Sequence, residues 1–134
     1  MAITYGYIYF GISTHEDGFT LDKFKEYLSL DPTSFKNKFE NKGKSPTRYL
    51  WRLEEEQKNE PNIYEEISVL ISKLIPHKQE LIELKNAHSH LEFVLEVVLF
   101  CGENSPALGL DSNAIKFLND VGAEFDVDMY NMQG

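Results

Sequence analysis

The stretch from Leu91 to Phe100 constrains this chain more than any other. Leu91, Phe93, Leu95, Val97 and Leu99 alternate with other residues and share one wholly apolar face. The opposite face runs from His90, Glu92 and Glu96 to Val98 and Phe100, as if solvated at one end and covered at the other. Such a strand must lie inside a sheet with a layer packed against its apolar side. Thr4 to Ile12 reads the same way: Ile8, Phe10 and Ile12 share one face and Tyr5, Tyr7 and Tyr9 the other, which suits a central strand.

Helical spacing fills the intervals. Thr20 is placed to cap a helix over Leu21, Phe24, Tyr27 and Leu28, which Leu30-Asp31-Pro32 stops. Asn62 caps a second helix with Glu65 as its reciprocal partner, and Ile63, Ile67, Leu70, Ile71 and Leu74 form its buried stripe up to Pro76. A third, Lys78 to Ala87, packs through Leu81, Leu84 and Ala87. A fourth is capped by Asp111, uses Ile115, Leu118 and Val121, and ends at Gly122.

Two further strands complete the pattern: Tyr49 to Glu54, with Tyr49, Trp51 and Leu53 on one face, and a last strand in which Phe125, Val127 and Met129 alternate with Asp126, Asp128 and Tyr130. Between Asp31 and Thr47 the chain carries Lys36, Lys38, Lys42 and Lys44 against Asp31 and Glu40, and reads as a long exposed basic loop. Phe35 and Phe39, four apart, allow one amphipathic turn within it.

The expectation is an α+β fold in the order β-α-β-α-α-β-α-β, a four-stranded, mainly antiparallel sheet with helices packed on one face. Strand, turn, cap and helix recur at Tyr5–Leu28 and Phe93–Leu118, which favours a ferredoxin-like arrangement. With 134 residues, the chain is expected to be one domain, 1–134. Its 42% of apolar residues suffice for a core and argue against disorder.

Thr20-Leu21, Leu28-Ser29-Leu30-Asp31-Pro32-Thr33, Lys42-Gly43 and Trp51-Arg52-Leu53 resemble the first half of the bacterial domain-of-unknown-function family 4279. Leu108-Gly109-Leu110-Asp111, Phe117-Leu118 and Val121 to Tyr130 resemble its C-terminal signature. The resemblance covers almost the whole chain. It implies a small bacterial cytoplasmic protein without an assigned activity, and carries over no catalytic residues. The basic loop around Lys36–Lys44 is richer in lysine than the family pattern.

Composition narrows the function classes. No apolar run approaches the roughly 18 residues of a membrane span. The first residues lack the basic and apolar regions of a signal peptide, and the lone Cys101 cannot form an internal disulfide, so a reducing cytoplasm is expected. A net charge of −9 disfavours nucleic acid, despite the aromatic and basic stretch Lys36–Arg52. Cys101 has Glu103 as its nearest ionisable neighbour, the wrong sign for activating a thiolate, and the scattered glycines form no phosphate-binding motif. No catalytic residues and no cofactor are assigned.

Charge is unevenly spread: residues 91–134 hold eight acidic residues and one basic one, a net −7. A basic protein partner is therefore expected at Glu92, Glu96, Asp126 and Asp128, as in an immunity protein or inhibitor, with Lys36, Lys38, Lys42 and Lys44 as a second, basic contact region. Two alternatives stand beside it. His88 and His90, two apart, reach one face of a strand and with Asp126 and Asp128 would hold a metal ion in a metal-binding or hydrolytic protein. The other is a homodimer joined by the free sheet edge or the aromatic loop.

Overall fold

A computed structural model describes residues 3–38, 45–53, 58–104 and 106–132. The strands are β1 (Tyr5–Thr14), β2 (Ser34–Lys36), β3 (Thr47–Trp51), β4 (Lys58–Asn59), β5 (Glu92–Cys101) and β6 (Glu124–Asn131). The helices are α1 (Leu21–Lys25), α2 (Ile63–Leu74), α3 (Lys78–Ala87) and α4 (Ser112–Val121), with a 3-10 turn over Ile75–His77 where Pro76 interrupts the path from α2 to α3.

The fold is α+β, but the expected four-stranded, mainly antiparallel sheet is corrected. The sheet is mixed, with five strands in the order β2-β3-β1-β5-β6 and the short β4 pairing with β1 beside them. β1 is central, antiparallel to β3 and β5, while β5 and β6 run parallel.

The ferredoxin-like echo fails in its first half for a reason of length. α1 has five residues, about 7.5 Å, and cannot carry the chain back along the ten-residue β1, about 33 Å long. The chain instead turns at Pro32 and returns as the β2–β3 hairpin, with β3 running against β1. α4, ten residues long, does bring the chain back, so β6 starts beside Val94 and runs parallel to β5.

The caps act as anticipated. Thr20 Oγ1 accepts from Lys23 N at 3.2 Å, Asn62 Oδ1 from Glu65 N at 3.1 Å and Asp111 Oδ1 from Ala114 N at 2.7 Å. Gly122 closes α4 with φ 74°, a conformation that favours glycine, and Ala123 N then donates to Leu118 O.

One continuous core joins Ile8, Phe10 and Ile12 of β1, Tyr49 and Trp51 of β3, and Phe93, Leu95, Val97 and Leu99 of β5 with the apolar stripes of the helices. Two stripes differ from expectation. In α4 the buried residues are Ala114, Phe117, Leu118 and Val121, while Ile115 is exposed; in α3 Ala87 is exposed. The segment 31–47 is not simply a loop, because Ser34–Lys36 forms β2 and Phe35 packs on the core. Phe39, Lys42 and Lys44 lie outside the described residues.

Candidate functional site

Alternation fixes what the two faces of the sheet present. With Ile8, Phe10 and Ile12 turned to the helices, Tyr5, Tyr7 and Tyr9 lie on the opposite face, each half-buried. Pairing extends that face sideways. Tyr9 aligns with Glu96, and Glu96 with Asp126. Tyr7 aligns with Val98, and Val98 with Asp128. On the other side Ser13 aligns with Arg48, and Arg48 with Lys36. Among the described residues, the helices contribute their buried stripes to the other face alone.

Glu96, Asp126 and Asp128 thus meet on one patch, each with a carboxylate oxygen within 4.8 Å of the others. Asp126 and Asp128 are exposed, whereas Glu96 is 6% exposed. Its Oε1 is shielded from solvent and has no hydrogen-bond partner. Burial first, then hydrogen bonds to Asp128 and Asp126 and their negative charge, push the Glu96 carboxyl up to about 8. The Glu96 carboxyl thus holds its proton more tightly than an ordinary glutamate. Burial, followed by the charge of Glu96, also raises the neighbouring Tyr9 hydroxyl above its usual range.

The opposite end of this face is basic. Arg48 and Lys36 are exposed, and Arg52 lies over the Tyr7 ring, 5.8 Å from its centroid. Beside them a hollow of about 660 Å³ is lined by Ser13, His15, Arg48, His90 and Glu92 among others.

The predicted residues divide cleanly. Glu96, Asp126 and Asp128 come together; Glu92 is exposed on the same face but further along β5, at the level of Ser13. Among the described residues, the group that forms is Glu96, Asp126 and Asp128, without His88 and His90. His90 precedes Glu96 by six residues, roughly 20 Å of extended chain. Its Nδ1 pairs with Thr14 Oγ1 at 3.1 Å, His88 Nε2 with the Tyr27 hydroxyl at 3.4 Å, and the Phe19 ring sits edge-on to both imidazoles. The parallel register is the reason: it sets Asp126 beside Glu96, so the histidines fall short of the aspartates.

Lys38 serves the fold, its Nζ donating to His15 O at 2.6 Å and pairing with Asp17. Arg48, Arg52 and the tyrosine row were not assigned as site residues from the sequence. The signal existed: if Tyr49, Trp51 and Leu53 face inward, Arg48 and Arg52 must face outward.

A group of three carboxylates on an open sheet face attracts cations, whether a protein's basic side chains or a hard divalent ion that prefers oxygen ligands. The chain matches no curated protein and no solved structure. The model of the family described as Domain of unknown function (DUF4279) matches residues 4–132. The chain belongs to that family.

Proposed function

From membership in a family whose function is unassigned, we propose that this protein is a non-enzymatic interaction module. Its acidic pole, Glu96, Asp126 and Asp128 with Glu92 along the strand, docks the basic surface of a protein partner in the manner of an immunity protein or inhibitor. One observation carries the reading: three carboxylates within 4.8 Å of one another, Glu96 buried and Asp126 and Asp128 exposed, on the sheet face that the helices leave open. A basic side chain brought to this patch lowers the repulsion and lets Glu96 ionise. Calorimetric titration with an oligolysine peptide at low salt tests it. Binding that is lost in Asp126→Asn/Asp128→Asn is the expected result; no binding, or equal binding by the variant, overturns it.

The unpartnered Glu96 Oε1 favours a second reading, a hard divalent cation on the same three carboxylates. Titration with calcium and manganese checks it: heat that disappears in Glu96→Gln supports the ion, and none in the parent chain removes it.

A further inference from the structure

β6 closes one side of the sheet, and among the described residues no strand pairs with its outer edge. The register says which backbone groups stand there. Met132 N donates to Cys101 O, and the parallel pairing from Val94–Glu124 to Cys101–Asn131 is unbroken. Successive residues of a strand bond to opposite sides, so the even-numbered residues turn their backbone groups to β5. Phe125, Val127 and Met129 therefore turn N–H and C=O outward, a row of donors and acceptors ready to pair.

The side chains of this edge alternate as strictly. Glu124, Asp126 and Asp128 are exposed on the open face, roughly 7 Å apart, with no basic residue between them. Phe125 and Met129 point to the helix side, but the helices stop short of them. They are 38% and 58% exposed, whereas Leu95 and Leu99, their partners on β5, are fully buried.

We propose that the basic partner engages at β6. An extended segment of that protein adds to the sheet as a further strand, with lysine or arginine side chains over the carboxylate row. Its alternate, apolar side chains cover Phe125 and Met129. This gives the mode and the chemistry of the partner in the docking reading above and rests on it.

Charge and geometry select this occupant. Strand addition draws affinity from main-chain hydrogen bonds and specificity from alternate side chains, and β6 offers both. Residues two apart on an added strand share a face at the spacing of the carboxylates, so the charge match repeats along the edge. A second copy of β6 is opposed: antiparallel pairing about Val127 sets Asp126 against Asp128, and about Asp128 sets that residue against itself. A basic helix or loop would neutralise the carboxylates but leave the outward N–H and C=O groups unpaired.

A peptide of about seven residues alternating lysine and valine, the length of a strand, is titrated calorimetrically into the full chain at low salt. The same peptide N-methylated at every residue keeps its charge but has lost its main-chain donors, and should bind at least tenfold more weakly. Asp126→Asn/Asp128→Asn should weaken the unmodified peptide about tenfold. Hydrogen exchange followed by NMR should slow at least tenfold at the amides of Phe125, Val127 and Met129 when the peptide saturates the chain. No binding of the alternating peptide, equal affinity for its N-methylated form, or no slowing at these three amides overturns strand addition. If oligolysine then still binds through Asp126 and Asp128, the docking reading stands without it. If neither oligolysine nor the alternating peptide binds, both end.

Discussion

The two faces of this sheet are built from the same strands by alternate residues, yet they obey different physics. On the helix side Phe10, Phe93 and Phe117 meet edge to face, with centroids of Phe10 to the others at 6.2 and 5.8 Å, and none is more than 2% exposed. On the other side Tyr5, Tyr7 and Tyr9 are half-buried among arginines and carboxylates. Removal from water organises the first face; the second retains polar atoms, like-charged neighbours and a buried acid. A face that served stability alone would not keep a buried carboxyl beside two others, since burying polar groups costs free energy that hydrocarbon would not. The contrast sets a packed core on one side of the sheet and a charged, half-buried surface on the other.

The largest effect should come from the helix side. Phe10→Ala removes the ring at the centre of the aromatic cluster and should cost about 3–5 kcal/mol, measured by urea denaturation. A loss below about 1 kcal/mol would mean that the site collapses and that this face is not the rigid one. Gly6→Ala comes next. A Cβ at Gly6 would lie 2.3 Å from the carbonyl oxygen of Val98 and 2.9 Å from a methyl of Leu99, so β1 and β5 would have to separate. About 1–3 kcal/mol is expected, since the obstruction is backbone on the neighbouring strand.

The third prediction concerns the open face. Between about pH 4.5, the ordinary value, and about 8, folded Glu96 holds a proton that the unfolded chain has released. Its contribution to stability is therefore greatest below that window, falls as pH rises through it, and is constant above it. Glu96→Gln carries no charge at any pH and should lose this dependence. Relative to the parent chain, it should gain stability from pH 5 to pH 9, read from urea midpoints at pH 5, 7 and 9. Parallel pH profiles for the two proteins would show that the buried acid does not distinguish the faces.

How much of this was legible before the structure follows from which interactions are local. Thr20, Asn62, Asp111 and Gly122 announce the helix ends because capping is settled within four residues, and the inward faces of β1 and β5 follow from alternation. Pairing partners are not local. Asp126 and Asp128 read as a solvated strand face until the parallel register sets them beside Glu96, 30 residues earlier in the chain. β2 is three residues long within a lysine-rich stretch, too short for alternation to show, and becomes a strand only because β3 pairs with it. Spacing alone points to Ile115 because two apolar stripes fit α4, and only the position of the sheet chooses Ala114 and Phe117 over it. Two residues apart is a common face only within a strand, and β5 begins after both histidines.

The smallest expected effect tests the contrast most directly. Tyr7 stacks on Tyr9, lies under Arg52 and aligns with Val98, so it has neighbours and is not merely solvated. Its ring nevertheless contacts side chains on the water side of the sheet, and removing it opens a shallow surface depression that water fills, not an enclosed cavity. Tyr7→Ser should therefore cost about 1 kcal/mol or less, against several for Phe10→Ala three residues along the same strand. If Tyr7→Ser instead costs as much stability as Phe10→Ala, the tyrosine row is a second core and the division of labour between the faces fails.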